Sequence, residues 1–222
     1  MLPHDETDLS RIYSHRFKGN LDYRKSVWIV LVNCFFSRWV PKTGTVLDLG
    51  CGYGEFINQV VAGKKYAMDL NPDAPNYLSR DVAFLHQDCS LPWPLAENSV
   101  DVVFTSNFFE HLPDKPALGR TLDQIKHCLK PGGVLLAMGP NIKCLPGAYW
   151  DFWDHYLPLT ELSLKEALDN RSFVVERCIA RFLPYTMSGT QTFPSTLIRL
   201  YLAIPIAWRI MGKQFLLVAK KS

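Results

Sequence analysis

The sequence lacks the features that define several large classes of protein. Its six cysteines form no Cys-x-x-Cys pair and match no histidine spacing suited to zinc, so we expect neither a metal site nor a disulfide framework. The formal net charge of +3 gives no electrostatic reason to expect a nucleic-acid partner. No basic and apolar leader opens the chain, which predicts a cytoplasmic protein with reduced thiols.

The chain has enough apolar material for a sizeable core. It contains 222 residues, of which 48% are hydrophobic, and this size suits one domain with additions rather than two domains. Short apolar runs alternate with helical patterns, which is typical of an α/β protein. The predicted strands cover 46–49, 64–70, 82–86, 99–105, 134–138, 173–179 and 213–219, and the predicted helices cover 22–40, 55–62, 117–129 and 159–170.

A glycine-rich turn follows the first predicted strand. From residue 45 the chain reads Thr-Val-Leu-Asp-Leu-Gly-Cys-Gly-Tyr-Gly-Glu, so a buried strand runs into Gly50, Gly52 and Gly54. Apolar residues at helical spacing resume over 55–62, which predicts a helix that ends at a capping glycine. Glycine suits a backbone with positive φ, or one that a ligand approaches closely. The turn is therefore a candidate ligand site.

Two carboxylates flank this turn and indicate which ligand it suits. Asp48 precedes the first glycine, and Glu55 stands where a dinucleotide-binding fingerprint has its third glycine or an alanine. A ligand with a cationic end, such as an ammonium or a sulfonium group, fits between acids better than a diphosphate. Further along, Asp69 ends the second predicted strand, at the distance expected of a carboxylate that binds ribose hydroxyls.

Four motifs resemble, in order, those of the class I S-adenosylmethionine-dependent methyltransferases. They are Val-Leu-Asp-Leu-Gly-Cys-Gly-Tyr-Gly at 46–54, Met-Asp-Leu-Asn-Pro at 68–72, Gln-Asp-Cys at 87–89 and Leu-Lys-Pro-Gly-Gly at 129–133. The resemblance implies S-adenosylmethionine as the methyl donor and S-adenosylhomocysteine as the product. It also implies a three-layer, Rossmann-like α/β fold whose seven-stranded sheet is mainly parallel with an antiparallel last strand.

The same resemblance assigns cofactor roles to residues at the strand ends. Asp88 would accept a hydrogen bond from the adenine amino group, although it could also be a simple turn aspartate, and the backbone N–H of Cys89 would meet a ring nitrogen. Asn107 would offer an oxygen to the ammonium or sulfonium end. The expected cofactor residues are Asp48, Gly50, Cys51, Gly52, Gly54, Asp69, Leu70, Asp88, Cys89, Asn107 and Arg16.

The N-terminal region allows two interpretations. Residues 1–20 are polar and show little periodicity, which suits either a loosely ordered tail or a lid that brings Arg16 over the cofactor. The predicted helix that follows contains an uncharged run, 26–37, that is too short to span a bilayer. Arg24 in this helix either reaches a ligand carboxylate or is simply exposed.

Two histidines are candidates for a general base, since imidazole changes its protonation near neutral pH. His111 follows the fourth strand, at the edge where ligands of open α/β sheets bind, although it could serve only to support the loop. His155 lies in the aromatic run Tyr-Trp-Asp-Phe-Trp-Asp-His-Tyr at 149–156. These aromatics either pack between loop and sheet or stack on a sugar or planar ring. In the second interpretation His155, oriented by Asp154 or Asp151, removes a hydroxyl proton.

A long apolar insertion, 184–212, separates the two strands of the expected edge hairpin. It carries aliphatic and aromatic residues together with Arg199 and Arg209, and it is broken at Pro205. One interpretation is a cover over the acceptor side or a contact between two copies of the chain. The other is a peripheral membrane contact through 195–211 that reaches a lipid-linked acceptor.

These observations predict a single methyltransferase domain over 1–222, with a lid and helix at 1–40, a cofactor-binding core at 45–140 and a substrate-side segment at 141–222. The expected reaction moves a methyl group to a hydroxyl or amine of a small molecule, sugar or glycolipid. A weak resemblance of 150–160, 182–186 and 212–215 to bacterial methyltransferases that accompany glycosyltransferases in surface-polysaccharide synthesis favours a sugar or glycolipid. The alternatives are a catalytically silent nucleoside-binding module and an NAD-dependent oxidoreductase, which the acids at the turn disfavour. The sequence leaves monomer and dimer open.

Overall fold

The computed structural model describes residues 21–185 and 192–222, so the predicted lid with Arg16 and part of the insertion lie outside the described residues. Five α-helices and seven strands follow one another along the described chain. They are α1 Leu21–Cys34, β1 Thr45–Leu49, β2 Lys64–Asp69, β3 Val82–His86, β4 Val100–Ser106, α2 Lys115–Cys128, β5 Leu129–Pro140, α3 Glu161–Asp169, β6 Phe173–Ile179, α4 Ser195–Ala203, α5 Pro205–Met211 and β7 Gln214–Lys221.

The seven strands form one sheet in the order β3-β2-β1-β4-β5-β7-β6. Strands β1 to β5 run parallel, while β7 is antiparallel to both of its neighbours. The predicted mainly parallel sheet with an antiparallel last strand is therefore confirmed. The strand order reverses between β1 and β4, and a crevice opens at the carboxyl ends of the strands at such a point.

Helices cover both faces of this sheet, which gives three layers. Successive side chains of β1 point to opposite faces, so Leu47 packs in a core with α2 and α3 while Val46 packs in a core with α1 and α4. The α2 and α3 helices begin with side-chain caps: Asp114 accepts from the backbone N–H of Ala117 at 2.7 Å, and Thr160 forms a capping box with Ser163. These caps set where each helix leaves the sheet.

The predicted helix over 55–62 is wrong. After the glycine turn the chain forms only a 3₁₀ turn, Ile57–Gln59, and it is extended again at Val60. Long-range contacts explain the difference: the ring of Phe56 stacks on Phe104 of β4 with centroids 3.7 Å apart. The next glycine, Gly63, is not a helix cap. It packs against the neighbouring strand connection, where its N–H donates to the carbonyl of Gly44 at 2.9 Å.

Other predicted boundaries shift by smaller amounts. The first helix ends at Cys34 and continues as a 3₁₀ turn, Phe36–Trp39. Strand β5 begins at the end of α2 rather than after the Lys-Pro-Gly-Gly segment, because Leu129 already pairs with β4 before a shift in register. The insertion contains two short helices, and Pro205 begins the second of them.

Candidate active site

A cavity of about 420 Å³ lies at the carboxyl edge of the central strands. Its wall combines the turn after β1, the ends of β2 and β4, part of α1 and the aromatic segment after β5. Gly54 lies outside this wall, and Arg16 lies outside the described residues. The predicted residues in the wall are Asp48, Gly50, Cys51, Gly52, Asp69, Leu70, Asp88, Cys89, Asn107, His111, Asp154 and His155.

The glycine turn is shaped by close packing as well as by backbone conformation. Gly50 has a φ of +67°, and a Cβ added there would lie 2.2 Å from the ring of Phe108. Gly54 has a φ of +71°, and its added Cβ would lie 2.4 Å from Leu78. The N–H of Gly50 donates to the carbonyl of Met68 at the end of β2, at 2.9 Å. The turn is thus held against β2 and leaves the cavity open beside it.

Two acids at the turn are buried in the cavity wall. Asp48 is 3% exposed and accepts a hydrogen bond from the N–H of Ile57 at 3.3 Å. Burial, followed by the nearby carboxylate of Glu55, raises the pKa of Asp48 well above its ordinary value. Glu55 itself forms an ion pair with Arg24 of α1, which lines the cavity. A cationic ligand group beside Asp48 would stabilise its charged form.

Asp69 holds the turn and the start of the next loop together. Its two carboxylate oxygens accept from the N–H of Gly52 at 2.8 Å and from the N–H of Asn71 at 2.9 Å. Burial raises the pKa of Asp69, although these backbone bonds oppose the shift. A carboxylate has about four acceptor positions, so lone pairs remain for ligand hydroxyls.

Asn107 lines the cavity and carries a buried oxygen without a hydrogen-bond donor among the described residues. It follows β4 with a φ of +48°, and its N–H donates to the carbonyl of Met138 at 3.0 Å. Its Oδ1 atom is buried and accepts no hydrogen bond from any described residue. A buried acceptor without a donor is costly. An ammonium group of a ligand would satisfy it, which fits the amino-acid end of S-adenosylmethionine.

Asp88 and Cys89, which follow β3, line the cavity and also make hydrogen bonds within the protein. Asp88 Oδ1 accepts from the N–H of Ser90 at 2.8 Å, so the turn role considered for Asp88 is present alongside its place in the wall. The thiol of Cys89 lies 3.3 Å from the Thr121 hydroxyl, and burial raises its pKa to about 12. Cys89 is therefore a neutral packing group rather than a nucleophile.

Three catalytic candidates meet at the opposite side of the cavity. His155 Nδ1 lies 2.7 Å from the backbone carbonyl of Tyr149. His111 Nδ1 lies 2.8 Å from the backbone carbonyl of Asp154 and 3.2 Å from its carboxylate. Burial opposes the charged form of His111, but the acids Asp154 and Glu110 outweigh it and raise the pKa of His111. Imidazole and carboxylate groups are thus concentrated beside the cofactor residues.

Sequence reasoning missed the contact that organises this side of the cavity. Glu110 is 2% exposed, and its Oε1 accepts from the hydroxyl of Tyr149 at 2.5 Å. Burial raises the pKa of Glu110, although His111 and this hydrogen bond oppose the shift. The backbone carbonyl of Glu110 also accepts from the N–H groups of Tyr156 and Leu157. The only local sign of this role in the sequence was that Glu110 directly precedes the candidate histidine, His111.

The aromatic segment divides between the cavity and the surface. Tyr149 and Phe152 line the cavity, and Tyr185 packs edge-on against Tyr149 with ring centroids 4.9 Å apart. In contrast, Trp153 is 81% exposed, and Asp151 is exposed outside the wall. Only part of the predicted aromatic cluster can therefore contact an acceptor inside the cavity.

The catalytic candidates could also hold a metal ion. Ligand atoms of His111, Asp154 and His155 all lie within 4.8 Å of one another. Both histidines direct Nδ1 at a backbone carbonyl, as metal-binding histidines commonly do. With bonds of about 2.1 Å, opposite ligands lie roughly 4.2 Å apart, so the cluster would need a small contraction. The expectation that no metal is used stays a prediction.

Comparison with known proteins places the chain in a family. A family model described as a methyltransferase domain matches residues 22–182. Comparison with curated proteins gives no match.

Solved structures share the fold at low sequence identity. A SAM-dependent methyltransferase from Archaeoglobus fulgidus is 20% identical with a TM-score of 0.69, covering 96% of this chain and 99% of that chain. A chain from a complex containing the Haloferax volcanii Trm112 methyltransferase activator is 20% identical with a TM-score of 0.71, covering 97% and 96%. A Thermotoga maritima SAM-dependent methyltransferase, described as a possible histamine N-methyltransferase, is 16% identical with a TM-score of 0.62, covering 97% and 95%.

The family match spans most of the chain, and these structures share its fold. The buried acids and the oxygen of Asn107 suit a cationic nucleoside ligand. The chain therefore belongs to the methyltransferase-domain family and is an S-adenosylmethionine-dependent methyltransferase.

Proposed function

We propose that this enzyme methylates a hydroxyl group of a sugar or glycolipid, with His155 as the general base. The observation that supports this is the 2.7 Å contact between His155 Nδ1 and the carbonyl of Tyr149. A carbonyl can only accept, so Nδ1 carries the proton and the neutral ring keeps a lone pair on Nε2. His155 lines the same cavity as the cofactor residues.

S-adenosylmethionine, when bound, supplies a methyl group on a positively charged sulfur. A hydroxyl is a weak nucleophile, so His155 Nε2 accepts its proton while the carbonyl of Tyr149 holds the ring in place. The carboxylate of Asp154, which lies in the same cluster as His155, favours the imidazolium that results. The walls formed by Phe152 and Tyr185 exclude water and offer flat faces to a sugar ring.

His111 suits a positioning role in this scheme. Acidic neighbours raise its pKa, which makes it a poor acceptor for a further proton near neutral pH. It bonds to both the carbonyl and the carboxylate of Asp154, the residue directly before His155. His111 would thereby hold the turn that carries the base.

An amine acceptor is the second candidate function. The description of the Thermotoga maritima structure names histamine N-methylation for that protein. A deprotonated amine is nucleophilic without a base, so loss of His155 would affect an amine much less than a hydroxyl. The dependence on His155 therefore distinguishes the two acceptor classes.

The test replaces His155 with alanine. Production of S-adenosylhomocysteine is measured with free hexoses, nucleotide-linked hexoses, glycolipids of bacterial surface-polysaccharide synthesis and histamine as acceptors. We expect kcat with a hydroxyl acceptor to fall by roughly 100-fold or more, within the span of a positioned base. The affinity for S-adenosylmethionine, measured by calorimetry, should stay unchanged. His127→Ala is the matched control, because His127 is exposed on α2 outside the cavity.

A near-normal kcat in the His155→Ala variant would contradict the assignment. Treatment with EDTA separates the base from a metal site at the same residues. Activity that survives EDTA supports the base, whereas activity lost with EDTA and restored by a divalent ion would assign His111, Asp154 and His155 as ligands.

A further inference from the structure

The helices α4 and α5 carry a concentration of exposed apolar side chains. Isolated exposed aliphatics are ordinary, but a grouped set marks an interaction surface. Leu197 and Leu200 lie one turn apart on α4, and Ile206 and Ile210, which are 67% and 73% exposed, lie one turn apart on α5. We name the set the C-terminal apolar face, and it consists of Phe193, Leu197, Leu200, Ile204, Ile206, Ile210 and Met211.

The opposite sides of these helices are already occupied. Leu202 is buried, and Ile198 and Trp208 pack against the core beneath α1. Each helix therefore has one side in the protein and one apolar side in solvent. This arrangement suits a helix that lies in an interface.

The charged residues of the segment that carries this face are of one sign. The sequence contains no aspartate or glutamate after Glu176, whereas basic residues continue to the end. Arg199, Arg209 and Lys213 are exposed beside the apolar side chains. None of the ion pairs between described residues involves Arg199 or Arg209. The face is thus both apolar and cationic.

This charge argues against a second copy of the chain as the occupant. A two-fold dimer brings the same patch of both copies together. The arginines of both copies would then share one interface, with no acid from this segment to neutralise them. An anionic lipid surface instead supplies both an apolar layer and opposite charge.

The face is also connected to the cavity wall through α1. α4 packs against α1, and the N–H of Phe193 donates to the hydroxyl of Tyr23 on α1 at 3.0 Å. α1 contributes Arg24 and Trp28 to the cavity wall. A surface bound at α4 and α5 would therefore lie one helix away from the site.

We propose that the C-terminal apolar face docks on an anionic membrane surface and brings the cavity to a lipid-linked acceptor. The docking does not depend on which group the enzyme methylates, whereas the lipid-linked acceptor rests on the proposed hydroxyl methylation. No helix of the described residues is long and apolar enough to cross a membrane. The contact is therefore interfacial, with the aliphatic side chains among the lipid headgroups and the arginines at the phosphates.

The test is flotation of the purified full-length chain with phosphatidylcholine vesicles, with and without phosphatidylglycerol. We expect flotation with the anionic vesicles and its loss at high salt. Ile206→Glu with Ile210→Glu should lower the vesicle affinity at least about 10-fold. Arg199→Gln with Arg209→Gln should lower it about 30-fold, from roughly fivefold for each charge. Leu162→Glu is the matched control, because Leu162 is 57% exposed on α3, across the sheet.

Each outcome decides between named occupants. Chain that stays in the soluble fraction with anionic vesicles, or equal losses in the control and the double glutamate variant, would overturn the proposal. A dimer seen by light scattering and abolished by Ile206→Glu would instead assign the face to a second copy. Circular dichroism and S-adenosylmethionine affinity check that every variant is folded. If the chain floats with anionic vesicles but methylates no glycolipid, the proposed docking is supported and the proposed lipid-linked acceptor is refuted.

Discussion

Replacing Asp48 with asparagine separates the charge of this side chain from its shape. Asp48 is buried at the end of β1, and one of its oxygens accepts from the N–H of Ile57. Asparagine has nearly the same volume and keeps an acceptor oxygen for that bond. The substitution therefore removes mainly the negative charge that we expect to favour the cationic end of the cofactor.

The expected loss of cofactor affinity follows from the free energy that a charged hydrogen bond contributes. Such a bond contributes about 1.5–3 kcal/mol. The Kd of S-adenosylmethionine should therefore rise roughly 10- to 150-fold in the Asp48→Asn variant. The affinity of the wild type should also fall as the pH is lowered, because protonation of Asp48 removes the same charge.

The stability of the ligand-free protein should change in the opposite direction. Burial, followed by Glu55, raises the pKa of Asp48 in the folded state above its ordinary value of 3.8. The folded state then binds this proton more tightly than the unfolded state, so stability present at low pH is lost as the pH rises through the folded pKa. Asparagine does not titrate. The variant should therefore melt at a higher temperature than the wild type at alkaline pH, and this advantage should shrink on acidification.

Calorimetric titration and thermal melts across the pH range measure both effects. Glu97→Gln is the matched control, because it removes an exposed carboxylate at the far end of β4 and should change neither result. A Kd within about twofold of the wild type would show that Asp48 does not contribute its charge to binding. A lower melting temperature at alkaline pH would refute the argument from burial.

Four further substitutions test individual contacts. Gly50→Ala should lower the free energy of unfolding in urea by at least about 2 kcal/mol, because its Cβ would lie 2.2 Å from a phenylalanine ring. Gly132→Ala, with positive φ but open space, should cost only about 1 kcal/mol, and equal losses would contradict this. Asn107→Gly tolerates the φ of +48° and should weaken S-adenosylmethionine binding about 10-fold in calorimetry; an unchanged Kd would refute the role of its buried oxygen. Tyr149→Phe leaves Glu110 without its hydroxyl donor and should cost about 1–3 kcal/mol by thermal melts. That loss should grow as the pH rises and Glu110 ionises; a loss independent of pH would contradict it.

Local patterns were enough to predict the elements of the sheet. Every predicted strand overlaps an observed one, and β3 and β6 match in full. Side chains of a strand alternate between the two faces of the sheet, and glycine, proline or aspartate often marks the end of a strand. Neighbouring residues therefore indicate where a strand begins and ends. The glycine turn was equally readable, since positive φ and close packing both require glycine there. The resemblance implied only the edge hairpin, and the order of the remaining strands was not predicted, because pairing joins residues far apart in sequence.

The sequence by itself thus determined the strands, the donor turn and the acids that suit a cationic cofactor. Only the tertiary structure decided that 55–62 forms no helix, because Phe56 is drawn onto a ring of β4. Only the tertiary structure placed Glu110 against Tyr149, and the carbonyl of Tyr149 against His155. The contact of Glu110 joins segments far apart in sequence, whereas the contact of His155 depends on how the aromatic run 149–156 folds back on itself. The tautomer of the proposed base depends on which backbone oxygen lies beside it, and no pattern of neighbouring residues specifies that.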